Sequence, residues 1–183
     1  IENVAYYTVA VFIATVIIVP FRSMNQITYP LTASLMHSDD RKGLRDLYKR
    51  SSLSLLVISS LIFLGILLNL EDFYQLLPEN YRGGVTVVLL LGLMRLFDSF
   101  LGINTAILYN SRYYGTLLLM GVLLALLTIA LNAWLIPLMG LTGAALATFC
   151  SVFLYNLAKL VFVRWKFGLS PWSRGSLKVL LLS

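Results

Sequence analysis

The chain has 183 residues, of which 59% are hydrophobic and 12% charged, and its mean hydropathy is +0.86. Soluble domains carry about twice that fraction of charge, so the solvent for most of this surface is lipid. The formal net charge of +6 implies no nucleic-acid partner, because the basic residues gather in segments beside apolar runs, where they report membrane orientation. The single cysteine, Cys150, excludes an intrachain disulfide and a cysteine-rich metal site.

A hydrocarbon core of about 30 Å needs roughly 20 apolar residues per helix, and runs of that length recur along the chain. The pattern predicts an all-α fold: a polytopic transmembrane helical bundle with about five full spans and the start of a sixth. A β-barrel would alternate every second residue, whereas runs 85–93 and 117–131 are apolar on nearly every face.

Span one covers residues 4–36. It is longer than a bilayer requires and holds Pro20 and Pro30, which predicts a tilt, a kink or an extension beyond the membrane. A polar loop, 37–50, carries Arg41, Lys42, Arg45, Lys49 and Arg50, and span two follows at 51–70. Loop 71–82 contains Glu71, Asp72, Glu79 and Arg82. Span three is expected at 84–109, span four at 114–136 and span five at 141–163, joined by short turns at Asn110-Ser111-Arg112 and at Gly140. A basic loop with Arg164, Lys166, Arg174 and Lys178 leads to a truncated sixth span at 177–183. The chain opens at Ile1 without a methionine and stops within that apolar run, as a piece of a longer protein would.

Alternate loops must lie on opposite sides of the membrane. With 37–50 in the cytoplasm, Arg112 and the 164–178 loop join it, and among the loop cations only Arg82 falls outside, as the positive-inside rule requires. Trp134 and Trp165 then fit the two interfacial belts.

Charges inside apolar spans are the candidate site residues, since each costs roughly 2.5 to 3.5 kcal/mol at the centre of an inserted helix. Arg95 and Asp98 lie at i and i+3 of span three, on a face shared with Ser99, Gly102, Thr105 and Tyr109. The opposite face offers Leu93, Phe97, Phe100, Leu101 and Leu108, interrupted by Asn104, and is expected to meet lipid. Arg95 and Asp98 either neutralise each other in the bundle or present a cation and its charge partner to an anionic solute. In the later half of span one, Arg22, Asn25, Gln26 and Tyr29 follow i, i+3, i+4, i+7. Their donors suit phosphate or sugar oxygens, with Arg22 snorkelling to the interface as the simpler alternative.

Small residues at Gly121, Ala125, Thr128 and Asn132, and at Gly143, Ala147, Cys150 and Ser151, predict close helix packing. His37 beside Asp39 and Asp40 reads as a solvated loop. There is no glycine-rich phosphate loop, zinc spacing or nucleophile set, so no catalytic residue, metal or cofactor is expected and an enzyme is not supported.

The stretch LNAWLIPLMGLTGAALAT at 131–148 resembles the LN-x-x-LIP-x-x-G-x-x-GAA-x-AT turn of the polysaccharide flippase branch of the multidrug/oligosaccharidyl-lipid/polysaccharide exporter superfamily. YPLTASL at 29–35, Leu47-Tyr48, LLPENY at 76–81 and Phe167-Gly168 with Pro171 are similar to further features of that family. The resemblance implies part of the C-terminal lobe of a two-lobed transporter, partnered by a missing N-terminal lobe in the lipid bilayer of the cytoplasmic (inner) membrane. Its implied substrate is a polyprenyl-diphosphate-linked oligosaccharide, a polysaccharide precursor, moved by alternating access, with Arg22 and Arg95 as candidates to hold the diphosphate. A multidrug or metabolite antiporter of the same superfamily would place weight on Asp98 instead. A membrane-embedded polysaccharide polymerase or ligase is the remaining alternative.

Overall fold

The computed structural model describes the backbone of residues 2–75 and 84–172, with side chains from Tyr7 onward. The 76–81 motif, Arg82, the 173–183 segment with its sixth span, and the first residue lie outside the described residues. Among the described residues the seven regular elements are all helices: α1 (Glu2–Val16), α2 (Val19–His37), α3 (Arg41–Leu68), α4 (Leu70–Gln75), α5 (Val85–Phe100), α6 (Asn104–Tyr109) and α7 (Tyr114–Phe167). Two of them, α3 and α7, are long and apolar enough to cross a membrane. A third span results if α1 and α2 count as one bent helix.

Of the tilt, kink or extension expected for span one, the structure shows a kink, a break at Ile17-Ile18 with α1 and α2 bent by 50°. Pro20 is the physical reason. It has no N–H to offer the carbonyl of Val16, and its ring crowds that carbonyl. The last turn of α1 therefore tightens into i→i−3 bonds, Ile17 N to Ala14 O and Ile18 N to Thr15 O, and Pro20 sits in the first turn of α2, where a missing donor costs nothing. Pro30 lies within α2 without dividing it.

Two boundaries differ from the sequence reading. The basic segment is not a loop from 37 to 50: α3 starts at Arg41, because Asp40 caps it by accepting from the Gly43 amide at 2.8 Å. Its cations therefore ride on the opening turns of a 28-residue helix, about 42 Å long. Span three is also not continuous, since α5 ends at Phe100 and α6 begins at Asn104. Between them Gly102 takes φ +52°, and a Cβ there would meet the Ser52 amide and Ser51 Oγ at 3.0 Å. The left-handed residue lets the chain press against α3 where a side chain would not fit.

This break changes which residues are buried. Phe100, Leu101 and Leu108, expected to meet lipid, are 4%, 3% and 0% exposed, and Tyr109, on the face expected to meet protein or a water-filled cavity, is exposed. Leu108 and Tyr109 lie beyond the break, where the register of α5 no longer applies, and Phe100 ends α5 where its carbonyl meets Ser52 of α3.

In a low-dielectric interior, each carbonyl freed at a break must find a donor. α3 supplies both. Ser59 Oγ donates to the Ile17 carbonyl at 3.2 Å and lies 2.9 Å from Ser99 Oγ, and Ser52 Oγ donates to the Phe100 carbonyl at 2.5 Å. The two serines are two turns apart on one face of α3, and all three side chains are buried.

Helix α7 spans 54 residues but leaves helical geometry at Gly140 (φ 58°, ψ −130°). Its limbs, 114–139 and 141–167, fold back on one another: Met120 to Leu127 and Ser151 to Ala158 line one groove. Gly143 approaches the Leu135 carbonyl so closely that a Cβ would collide with it. Gly143, Ala147 and Ser151 form a buried face, as their spacing predicts. Gly121 has open space where its Cβ would stand, so the Gly121 face makes no such close approach.

Two apolar clusters close the bundle. One joins Ala10 to Ala14 of α1, Tyr74 of α4, Val87 to Met94 of α5 and Ala145 of α7. The other joins Leu44 and Tyr48 of α3, Ile107 and Leu108 of α6, and Val163, with Tyr29 and Met36 of α2 beside them. The α1–α2 pair, the α5–α6 pair and the second limb of α7 therefore run in one direction and α3 runs against them.

Gly102→Ala should lower stability by at least about 1 to 2 kcal/mol, from the positive φ alone. Ser52→Ala and Ser59→Ala should each cost about 1 kcal/mol. Thermal unfolding of the detergent-solubilised protein measures all three, and an unchanged midpoint for Gly102→Ala would mean that the break tolerates a side chain.

Candidate functional site

Between the two apolar clusters lies a polar layer, where α5, α6 and the second limb of α7 meet. Arg95 and Asp98 occupy one face of α5, and Arg95 Nη1 lies 3.5 Å from Asp98 Oδ2. Their side chains are 28% and 17% exposed, so water screens the pair only in part. The other carboxylate oxygen, Oδ1, accepts from Asn156 Nδ2 of α7. Both oxygens of Asp98 are thus engaged, and the carboxylate joins α5 to α7.

One turn further along α7 stands Lys159, buried at 6% exposure. Its ammonium donates to Thr105 Oγ1 of α6 at 3.0 Å and lies 4.3 Å from the centre of the Tyr155 ring. Among the described residues no carboxylate lies within ion-pairing distance of it. A hydroxyl and an aromatic face stabilise the ammonium partially, the ring contributing about 1 to 2 kcal/mol where water is scarce.

The charge count is two cations against one carboxylate. Asn156 is 1% exposed, and its Oδ1 is buried without a hydrogen-bond partner among the described residues. The site therefore holds an unmatched cation and an unmatched acceptor side by side, in a bundle whose other buried charges are absent among the described residues. Phe97 and Phe153 pack at 4.9 Å beside it. Such an arrangement can take a further anionic oxygen, or exchange Arg95 from Asp98 to an incoming anion.

The expected residues divide into two groups. Arg95 and Asp98 pair as their i, i+3 spacing suggests. Arg22 and Gln26 are exposed on α2, and Asn25 and Tyr29 are half-buried. No hydrogen bond or ion pair among the described residues joins this stripe to Arg95 or Asp98. Tyr29 turns toward α6, where its ring lies 6.0 Å from that of Tyr109 and its carbonyl accepts from Asn110 Nδ2 at 3.4 Å.

Asn156 and Lys159 are the residues that sequence reasoning missed. The same cost of burying charge that singles out Arg95 applies to Lys159, which lies inside the apolar span 141–163. Its position one turn before Arg164 makes it look like an interfacial lysine, and its partner Thr105 is 54 residues away.

No family model, curated protein or solved structure matches the chain.

Asp98→Asn removes the one carboxylate that the described residues place beside two cations and should destabilise the protein by about 1 to 2 kcal/mol. That value is discounted from the fully buried case because the pair keeps some exposure. Combining it with Arg95→Gln should recover part of the loss. Unfolding midpoints of the two single variants and the double variant read the coupling directly, and strict additivity would show that Arg95 and Asp98 do not act as a pair.

Proposed function

We propose that this chain is part of a membrane transporter that moves an anionic, lipid-linked oligosaccharide across the cytoplasmic membrane by alternating access. The observation that carries this reading is the net-cationic cluster of Arg95, Asp98, Lys159 and Asn156, set midway along a bundle whose flanking layers are apolar. Ionisable groups placed at that depth serve substrate or ion pathways far more often than packing.

Helix geometry supports the same reading. Two interrupted helices, α1–α2 and α5–α6, have their breaks beside this layer, both capped by α3. Interrupted helices around a midplane site are a recurrent feature of secondary transporters. Counting α1–α2 and α5–α6 as one crossing each, and the limbs of α7 as two, gives with α3 the five spans of the sequence reading.

The cations Arg41, Arg112 and Lys166 come together at one end of the bundle, which we assign to the cytoplasm by the positive-inside rule. In this proposal Arg95 and Lys159 meet the diphosphate. Arg22, on the exposed face of α2, is offered to a second lobe across the transport path. The resemblance of 131–148 to the polysaccharide flippases supplies the substrate class. A cation-coupled antiporter is the second reading, and the specific observation favouring it is the fully engaged, largely buried carboxylate of Asp98.

Depletion of the intact protein in its own cell should strand lipid-linked oligosaccharide on the cytoplasmic leaflet. Complementation by Arg95→Ala, Lys159→Gln or Arg22→Ala should leave surface polymer at about a tenth of wild type or below, with normal membrane insertion. That loss corresponds to roughly 1.4 kcal/mol or more of substrate stabilisation. Wild-type export by all three variants would remove the diphosphate assignment. Glycan accumulating unpolymerised outside the membrane would favour a polymerase or ligase.

A further inference from the structure

The basic end of the bundle holds a second feature that membrane orientation does not explain. The end of α2, the start of α3, the turn between α6 and α7, and the end of α7 surround a cavity of about 660 Å³. Arg41, Arg112, Lys166 and His37 line it, and none of its lining residues is acidic. Orientation requires only that cations lie on one side of the membrane. It does not require three of them, from three separate segments, to converge on one cavity.

Tyr113 organises the convergence. Its ring is held edge-on between Phe162 at 5.3 Å and Phe167 at 5.8 Å. Arg112 stacks on that ring at 5.0 Å and donates to its hydroxyl at 2.9 Å, while Lys166 lies 5.8 Å from the same ring and 3.6 Å from the Trp165 ring. Aromatic faces position the two cations without neutralising them. Asp40 is engaged in capping α3, and Asp39 pairs with Arg41 at 3.4 Å, but the side chains are 83% and 85% exposed, so water screens the pair and leaves Arg41 able to engage another anion. Tyr113, at the capping position of α7, is part of the lining, so the positive end of that helix lies beside the cavity.

We propose that this cavity is a binding site for the phosphate headgroup of an anionic membrane lipid. Its basic and polar walls hold the phosphate, and Leu118 and Leu119, exposed on the opening turns of the α7 helix that follows Tyr113, offer apolar surface to the acyl chains. Basic pockets between helix ends on the cytoplasmic side recognise such headgroups through combined charge and donor geometry. The site is separate from the Arg95 cluster and does not depend on what the protein transports.

The test uses the full chain in phosphatidylcholine vesicles, with Trp134 and Trp172 replaced by Phe so that Trp165, beside Lys166, is the sole reporter. Brominated phosphatidylglycerol should quench Trp165 saturably and at a much lower mole fraction than brominated phosphatidylcholine. Arg112→Gln with Lys166→Gln should reduce that preference about thirtyfold, the effect of two basic residues near an anionic leaflet. Arg41→Gln should reduce it less, and Arg50→Gln, outside the cavity, should leave it unchanged. Equal quenching by both lipids would overturn the proposal, as would equal losses in the Arg50 and Arg112/Lys166 variants, which would mean diffuse attraction to the surface. Abolition of the preference by millimolar inorganic phosphate would also overturn it, by making the cavity a site for a soluble anion.

Discussion

Broken helices in an apolar bundle are possible only where something else satisfies the carbonyls they release. Here that duty falls on two serines of α3, Ser59 for the Ile17 carbonyl and Ser52 for the Phe100 carbonyl. Each break has its own cause, Pro20 in one and the left-handed Gly102 in the other. Without a donor from α3 each would leave an orphaned polar group at a cost of about 1 to 3 kcal/mol. The placement of α3 against both helix pairs, and with it the packing of the bundle, follows from this requirement.

The same constraint shapes the site. On either side of the break between α5 and α6, Asp98 and Thr105 both meet the second limb of α7. The second limb of α7 answers with Asn156 and Lys159 one turn apart, so that a carboxylate and a hydroxyl on one side meet an amide and an ammonium on the other. Polar contacts of this kind fix helix registration in a membrane, where apolar surfaces alone slide at little cost. They also leave an excess cation, and that imbalance, rather than the pairing, distinguishes the cluster from a structural salt bridge.

Charge at the bundle end obeys a different logic. Arg41, Arg112 and Lys166 are exposed and hydrated, and their convergence is organised by the ring of Tyr113 and not by carboxylates. The fold thus carries two cationic sites in different dielectric surroundings, one among buried helices and one at their ends.

Composition and apolar run lengths were enough to specify a helical membrane protein, because lipid demands long apolar helices whatever their arrangement. Pro20 announced the first break, and the i, i+3 spacing of Arg95 and Asp98 announced their ion pair, since both effects act within a few residues. The Gly102 break, the burial of Phe100 and Leu108, and the contacts of Lys159 and Asn156 were illegible. They depend on segments 40 to 60 residues apart in the chain, and a glycine in an apolar run looks the same whether it continues a helix or ends one. Sequence by itself determined the solvent, the helices and the local charge pair. Only the tertiary structure decided which helices break, which faces are buried and which cation meets a hydroxyl and a ring in place of a carboxylate, because those outcomes rest on donors and acceptors brought together by packing.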